Sequence, residues 1–472
     1  MIAIAVLAAA LAVASRWHHD LSIDEPFMAR AVASPGSIPQ LLADDNVPLA
    51  YLLFGLWARL FGTSALALRS LSAAAFALAC VFTGAAGRRA VDDRTGVVAA
   101  LLVTASPIGL LHAATARPYA LVLLCAAIAV WADAREDTLE GDGRAFTRVF
   151  VPHLIGLFTH PMFLFVSVAS AAAHMVVPGR RRTAAIAPLA AAGVYAASWS
   201  WMLARTFAGP ATSWIPRPSL RNLVSGYTHL WGVRVSVLLA LLALGAVVVV
   251  WRRRYEVPGA VQRGALVAVG VLVAVFAVSQ IRPVYLFLRT PVFVLPAASL
   301  AFAGLMAATR VGLLAPLAAA IVVVTSIAST MHGVRAGDPT PTRASLAVVA
   351  REIRCGDVIV AAGMSYAAVT YYAHDAAVPA CVRIVPFPAD VAVHPGWPDM
   401  RPGFQARLQV EAPDAAAALP PGSRVWLLRT QSGIGQEAGE AIRVELARRR
   451  TLEQRTPLRG SFFDEVLVFG PA

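Results

Sequence analysis

Residues 96–132 read GVVAALLVTASPIGLLHAATARPYALVLLCAAIAVWA and contain a single charged side chain, that of Arg117. A helix that crosses a bilayer needs about 17–25 largely apolar residues. The stretch therefore predicts two membrane-spanning helices, near 96–114 and 118–132, joined by a short turn at Arg117. Similar apolar runs fill roughly the first 330 positions. Because 58% of the 472 residues are hydrophobic and only 14% are charged, an ordinary soluble enzyme and a disordered protein are excluded.

The apolar runs predict about eleven spans in all. The other nine lie near 2–16, 66–87, 149–160, 162–178, 184–204, 234–251, 265–281, 290–308 and 311–330. Arginines follow every even-numbered span, and cytoplasmic loops are enriched in basic residues. Odd-numbered spans should therefore exit outward, and an odd total places the C-terminal region outside the cell membrane.

Residues 1–16 allow two interpretations. Ala12-Val13-Ala14 resembles a signal-peptidase site after an apolar stretch, but no basic segment precedes that stretch. We therefore expect an uncleaved first span. In either case the loop 17–65 begins outside, so the orientation of the later spans is the same.

The net charge of +13 comes entirely from arginine, because the sequence contains no lysine. The arginines cluster between apolar runs, as in the cytoplasmic loops of membrane proteins, so nucleic acid is not an expected partner. The lipid bilayer is the partner that this pattern predicts. A composition rich in alanine and arginine fits a GC-rich bacterial genome, and we expect a multi-pass protein of a bacterial plasma (inner) membrane.

The composition changes after residue 335, which predicts two domains, a transmembrane domain over 1–335 and a second domain over 336–472. Four short apolar runs, which begin near 357, 381, 424 and 465, read as buried strands. Helical spacing appears at 343–354, 365–374 and 434–450. The alternation predicts a small extracytoplasmic α/β domain. Cys355 and Cys381 both lie in it, and a disulfide between them is one hypothesis.

Acidic pairs mark the first outer loop. Asp24 and Glu25 follow the first span, and Asp44 and Asp45 precede an apolar, aromatic segment, 48–61, that includes Arg59 and should lie in the interface. Paired carboxylates can act as a general base or hold a divalent cation. Each pair could equally be a solvated loop charge.

Basic and aromatic residues mark the other outer turns. Arg117 precedes the fourth span and Tyr119 lies at its start. His160 lies at the turn from the fifth span to the sixth, and Arg289 lies in the turn before the tenth. Arginine outside runs against the orientation rule, and a guanidinium there can bind a lipid phosphate with two hydrogen bonds. Snorkelling to the interface is the alternative. The sequence contains no Walker motif, zinc-ligand spacing or dinucleotide-binding turn, so chemistry with cytosolic nucleotides is not expected.

These stretches, taken in order, resemble the GT-C superfamily of polytopic glycosyltransferases. The branch they resemble holds the bacterial relatives of protein O-mannosyltransferases and of the lipid A aminoarabinose transferase. The resemblance rests on Asp24-Glu25, on Asp45-Asn46-Val47-Pro48-Leu49-Ala50-Tyr51 with Leu56 to Gly62 and Arg69, on Ala116 to Leu121, on Thr159-His160, and on Arg289 with Pro296. Val47, Ala50 and Thr115 depart from the family's pattern, which leaves the sugar and the acceptor open.

The resemblance implies an inverting transfer of a sugar from a polyprenyl-phosphate donor to an acceptor hydroxyl on the outer face. The acceptor would be a glycan, glycolipid or protein of the cell envelope. It implies that Asp24 is the leading candidate for the general base, that Glu25 and Asp45 complete the catalytic acidic group, and that Asp44 and Arg59 make acceptor or loop contacts. Arg117, Tyr119, His160 and Arg289 would bind the donor phosphate. No cofactor is implied with certainty, although a divalent cation could be held by the carboxylates.

Two other classes of function stay open at this point. A transporter or flippase for a lipid-linked sugar would also be polytopic, but we find no internal repeat, and the charged candidates lie near the surface rather than at mid-span. A non-catalytic membrane scaffold or sensor, which binds ligands through its exported domain, is the third.

Overall fold

We describe the chain from a computed structural model. It covers residues 1–16, 19–22, 24–33, 47–134, 142–177, 182–208, 215–286, 288–311, 314–335, 342–393, 403–429, 433–458 and 465–472. Asp44 and Asp45 therefore lie outside the described residues. The chain divides into two compact units. One comprises Met1–Trp17, Asp45–Ala50 and Arg69–Arg335, and the other comprises His18–Asp44, Tyr51–Leu68 and Ala336–Ala472.

The described part of the chain is mainly helical. Its α-helices are α1 Ile2–Arg16, α2 Glu25–Ala33, α3 Pro48–Phe61, α4 Ala65–Ala90, α5 Asp93–Thr104, α6 Pro107–Ala113, α7 Tyr119–Asp133, α8 Asp142–Thr159, α9 Phe163–Val176, α10 Arg182–Ala208, α11 Leu220–Thr228, α12 Val233–Arg253, α13 Gly259–Ile281, α14 Leu295–Ala308, α15 Leu314–Arg335, α16 Thr342–Ala350, α17 Ser365–Tyr372, α18 Phe404–Ala417 and α19 Gly433–Arg449. The strands are β1 Val358–Ala362, β2 Arg383–Phe387, β3 Val425–Arg429, β4 Leu452–Pro457 and β5 Glu465–Phe469. Two 3-10 helices cover Thr290–Val294 and Ala389–Ala392.

Four of the described helical segments are long and apolar enough to cross a membrane. They are α4, α12, α13 and the continuous run Thr290–Ala308. α12 also leaves large apolar side chains uncovered, with Leu241 63% and Leu244 62% exposed, which suits contact with lipid. α1, α7 and α9 are apolar but shorter. The polytopic helical class is confirmed, and the count of eleven spans stays a prediction.

The span predicted as one helix near 96–114 is broken. α5 ends at Thr104, α6 begins at Pro107, and the two helices are bent by 64°. Pro107 has no backbone N–H to continue the helical hydrogen bonds. The hydroxyl of Ser106 accepts a hydrogen bond from the backbone N–H of Gly109, at 3.1 Å, and so caps α6. Apolar content alone did not reveal this break, because both halves are apolar.

A five-stranded sheet with the order β2-β1-β3-β5-β4 organises the C-terminal part of the second unit. β1 pairs in parallel with β2 and β3, whereas β5 pairs antiparallel with β3 and β4. Apolar side chains of α18 and α19 join those of the central strands in one core, which includes Leu408, Leu427 and Ile442. The predicted small α/β fold is confirmed.

Two elements of this domain were not predicted. β4 is an edge strand with mostly exposed polar side chains, so it lacks the apolar run that marks a buried strand. α18 has only four buried residues and contains Pro413, which weakens its helical signal. The sulfur atoms of Cys355 and Cys381 are bonded, with 5.2 Å between their Cα atoms, which links the segments leading into β1 and β2.

Candidate functional site

Tyr119, His160 and Arg289 come together in the first unit, and we call them the aromatic–arginine cluster. Tyr119 begins α7, His160 lies in the turn between α8 and α9, and Arg289 directly precedes the 3-10 helix at 290–294. Each residue therefore lies at the end of a helix. The ring centroids of Tyr119 and His160 are 5.4 Å apart. The guanidinium of Arg289 lies 5.7 Å from the Tyr119 ring centroid and donates a hydrogen bond of 3.4 Å to its hydroxyl.

Two residues that the sequence analysis did not single out complete this cluster. The His112 ring lies 4.6 Å from the Tyr119 ring, and its Nε2 donates to the carbonyl of Leu288 at 2.8 Å, next to Arg289. Phe293 is 2% exposed, and its ring lies 5.6 Å from that of His160. The available signal for His112 was a polar side chain in an otherwise apolar stretch, 107–114. Phe293 gave no such signal, because the residues on either side of it in the sequence are apolar as well.

His160 is held as a neutral hydrogen-bond donor. Its Nδ1 accepts a hydrogen bond from the backbone N–H of Met162 at 3.2 Å, so the proton of the neutral ring lies on Nε2. His160 lies in a turn outside the spans. Desolvation, and then the nearby charges of Arg117 and Arg289, lower the pKa of His160 to about 3. At neutral pH the positive charge near this turn therefore comes from the arginines.

Arg117 lies in the turn that leads into α7 and is half-buried. Its backbone N–H donates to the carbonyl of Thr115 at 2.9 Å, which fixes the turn. Its charge is close enough to act on His160. The four residues predicted to bind the donor phosphate thus all belong to the first unit, at neighbouring helix ends.

Asp24 and Glu25 belong to the second unit. The Glu25 side chain is fully buried, and its carboxylate accepts a hydrogen bond of 2.7 Å from the backbone N–H of Ser22. The backbone N–H of Glu25 donates in turn to the carbonyl of Ser22, at 2.9 Å. Glu25 therefore helps to form the start of α2. Asp24 directly precedes α2 and is only half-buried.

Other predicted site residues are more peripheral or lie outside the described residues. Arg59 lies near the end of α3 and is exposed. Asp44 and Asp45 lie outside the described residues. Within the part of the chain that the structure describes, no three or more His, Cys, Asp or Glu side chains are grouped to hold a metal ion.

A second polar group, which the sequence analysis missed, lies within the helices of the first unit. Arg263 is 2% exposed, and its Nε donates to both Asp133 carboxylate oxygens, at 3.0 and 3.1 Å. Nε2 of His174 lies 2.7 Å from the same carboxylate. We call Asp133, His174 and Arg263 the ion-pair cluster. A cavity of about 30 Å³, enough for a water molecule, is lined by this cluster and by His153 and Phe293.

The fold and these groups define a polytopic helical protein with a small α/β domain and a basic, aromatic cluster at its helix ends. No protein-family model and no curated protein matches the sequence. Solved structures do match. ArnT from Cupriavidus metallidurans bound to undecaprenyl phosphate has a TM-score of 0.63 and 12% identity, over 99% of this chain and 97% of that chain. The apo state of the same ArnT gives 0.63 and 13%, over 99% and 96%.

A second similar fold is the oligosaccharyltransferase of Archaeoglobus fulgidus tethered with an acceptor peptide, which has a TM-score of 0.56 at 11% identity. The match covers 100% of this chain and 74% of that chain. Both neighbours are GT-C glycosyltransferases. The resemblance stated from the sequence is therefore confirmed at the level of the fold.

Proposed function

We propose that this protein is a membrane glycosyltransferase that moves a sugar from a polyprenyl-phosphate donor to an acceptor hydroxyl, with inversion at the anomeric carbon. The observation that carries the proposal is the aromatic–arginine cluster in a chain that shares its fold, over nearly its whole length, with an ArnT bound to undecaprenyl phosphate. The bound lipid phosphate is a property of that ArnT. In this chain, Arg117 and Arg289 would bind the lipid phosphate.

The cluster suits a phosphate that acts as a leaving group. Arg117 and Arg289 would pair with its oxygens, and a guanidinium can form two parallel hydrogen bonds to a phosphate. His160 would donate from Nε2, because its Nδ1 already accepts from the backbone. The Tyr119 ring, which lies beside His160 and Arg289, would pack on the sugar or the phosphate and keep these two hydrogen-bond donors in place.

The carboxylate of Asp24 would take the proton of the acceptor hydroxyl. As that proton leaves, the acceptor oxygen forms a bond to the anomeric carbon from the side opposite the phosphate. The bond between the anomeric carbon and the phosphate oxygen breaks, and its electron pair stays on the polyprenyl phosphate. The developing negative charge is stabilised by Arg117 and Arg289. The products are the inverted glycoside and the polyprenyl phosphate.

We assign the base to Asp24 rather than to Glu25 because the Glu25 carboxylate forms part of the start of α2. The Glu25 carboxylate accepts from Ser22 and is fully buried, so that removing it should damage the start of α2. Asp24 is half-buried and can meet an acceptor. The acceptor would be positioned by Asp44, Asp45 and Arg59. A divalent cation held by the two carboxylates would be compatible with this mechanism.

The 336–472 domain would lie on the extracytoplasmic side of a bacterial plasma membrane, where it would contact a cell-envelope acceptor. Arginine placement supports this orientation. The disulfide between Cys355 and Cys381 supports it too, since such bonds persist mainly in oxidising compartments.

A transfer assay tests the proposal. Membranes that contain the full chain would receive radiolabelled undecaprenyl-phosphate mannose, glucose or arabinose, and label in lipid, glycan and protein fractions would be counted. We expect transfer from one donor, with a loss of at least about 1000-fold in Asp24→Asn. Asp375→Asn is the matched control, because this carboxylate in the same unit is 55% exposed, and it should retain full activity. Full activity in Asp24→Asn would refute the base assignment. No transfer by folded wild type from any donor would favour a transporter or a scaffold.

A further inference from the structure

The segment that carries Asp24 is held by residues more than 300 positions away in the sequence. The backbone N–H of Leu21 donates to the hydroxyl of Tyr372 at 2.5 Å. Asp20 is 5% exposed and accepts two hydrogen bonds from Arg343, one from its backbone N–H at 2.7 Å and one from its guanidinium at 2.8 Å. All of these residues belong to the second unit.

These contacts join four residues in a ring, from Asp20 through Arg343 and Tyr372 back to Leu21. The Arg343 guanidinium lies 5.8 Å from the centroid of the Tyr372 ring, so the two residues that hold Asp20 and Leu21 also support each other. Asp20 lies at the first turn of α16, where a carboxylate is favoured by the exposed N–H groups and by the helix dipole. Tyr372 is 2% exposed, so its hydroxyl is a fixed acceptor rather than a mobile one.

The far side of Asp24 is held as well. Phe27 packs with Met364 and Ala367 of the same unit. Arg30 donates to the carbonyl of Ala392, and its guanidinium lies 4.7 Å from the Tyr366 ring centroid. Asp24 thus sits between two anchors, at Asp20–Leu21 and at Phe27–Arg30, which both lead to the 342–392 part of the chain.

We propose that Tyr372 and Arg343 are positioning residues for Asp24. This inference rests on the proposed function, because it assigns them a role through the general base. A base must lie within hydrogen-bond reach of the proton that it removes, and a displacement of about 1 Å can lower the rate strongly. The C-terminal domain would therefore contribute to the chemical step by holding the base in place.

Tyr372→Phe is the most selective test, since it keeps the ring beside Arg343 and removes the hydroxyl that accepts from Leu21. We expect kcat for sugar transfer to fall about fivefold, while KM for the undecaprenyl-phosphate sugar changes less than about twofold. Tyr371→Phe is the matched control. It removes a hydroxyl from the neighbouring residue, which donates to the carbonyl of Thr63 at 2.8 Å, and should leave kcat unchanged.

Arg343→Gln should have a smaller effect. Its side chain is 52% exposed, and its backbone N–H would still donate to Asp20. Water screens this ion pair on its arginine side, so we expect kcat to fall only about twofold, with recovery in Arg343→Lys. A general loss of folding would not be rescued by lysine and would also lower the yield of folded protein.

Coupling to Asp24 separates positioning from a general structural role. In the Asp24→Asn background, Tyr372→Phe should cause no further loss of the residual transfer, because its effect passes through the missing carboxylate. A further fivefold loss in that background would overturn the inference. So would a single Tyr372→Phe variant with wild-type kcat.

Hydrogen exchange keeps the inference testable without activity. In the full chain in nanodiscs, Tyr372→Phe should speed amide exchange over residues 20–27 by about fivefold or more, while β1 and β3 stay protected as in wild type. Unchanged exchange over 20–27 together with normal wild-type transfer would refute the positioning role alone. Faster exchange in a protein that transfers no sugar would refute the proposed function, and with it the role of these anchors in catalysis.

Discussion

Three helices of the first unit carry a polar residue at or near each end, and the two ends differ. α7 begins with Tyr119 and ends with Asp133, whereas His160 precedes α9 and His174 lies near its end. Arg263 lies near the start of α13, and Arg289 follows that helix. At one end, an ion pair between Arg263 and Asp133 and a close contact between His174 and Asp133 hold the groups at 2.7 to 3.1 Å. At the other, ring contacts of 5.4 Å and a 3.4 Å hydrogen bond hold them.

The two ends of these helices differ in what their charged side chains do. Short bonds between buried opposite charges fix helices relative to each other, and breaking them leaves a buried charge without its partner. Longer contacts between rings and a guanidinium allow small movements of these side chains, so they can form shorter hydrogen bonds when a phosphate binds. Roughly 14 residues separate the ends of α7, or about 20 Å at 1.5 Å per residue. We therefore expect mutations in the ion-pair cluster to affect folding and mutations in the aromatic–arginine cluster to affect transfer.

Arg263→Met should have the largest effect. It leaves the Asp133 carboxylate, which is only 18% exposed, without its arginine, so the free energy of unfolding should fall by about 3 kcal/mol. The measurement is thermal unfolding of purified protein in detergent. The double variant Asp133→Leu, Arg263→Met removes both charges and should recover most of that loss. A single variant as stable as wild type would contradict the structural role of this pair.

Arg289→Gln should act on transfer rather than on folding. Losing a charge-assisted contact to phosphate costs about 2–3 kcal/mol, so kcat/KM should fall roughly 30- to 150-fold, with an unfolding temperature near that of wild type. Arg254→Gln is the control, because this arginine is exposed and lies at the end of α12. If Arg289→Gln unfolds like Arg263→Met, the two ends do not differ as described.

His160 gives the comparison a pH dependence. Its pKa is about 3 in the folded chain against 6.5 as the reference value, so the unfolded chain binds an extra proton between these values. Stability should therefore fall as the pH drops below about 6.5. His160→Gln cannot take up that proton, so its unfolding temperature should decline less between pH 7 and pH 5. An identical decline in both proteins would show that His160 is not held neutral.

Tyr119→Phe should have the smallest effect. It removes a hydroxyl that accepts a 3.4 Å hydrogen bond from Arg289 but keeps the ring. Because that bond is long, kcat/KM should fall only about two- to threefold. Tyr119→Ala also removes the ring and should fall much further. Equal losses in the two variants would mean that the hydroxyl, and not the ring, is the part of Tyr119 that matters.

The sequence by itself determined the polytopic helical class and most of the α/β domain. Both follow from local patterns, because an apolar run must be buried in lipid or in a core wherever it lies. β1, β3 and β5 were predicted on this ground, whereas the exposed edge strand β4 carried no such pattern. The helix ends that carry Tyr119, His160 and Arg289 could also be predicted, since alternating spans return to the same face.

Only the tertiary structure decided which polar groups meet. Asp133 and Arg263 are 130 positions apart, and Leu21 and Tyr372 are 351 apart. A hydrogen bond depends on atoms within about 3 Å, and no periodicity in a single chain encodes such a distance between remote segments. The same holds for Glu25, which the sequence placed with Asp24 in the catalytic acidic group, whereas the structure shows its carboxylate accepting a hydrogen bond from the backbone N–H of Ser22. The sequence pattern of a segment predicts whether that segment is buried. Which polar side chain it contacts depends on how distant segments pack in the fold.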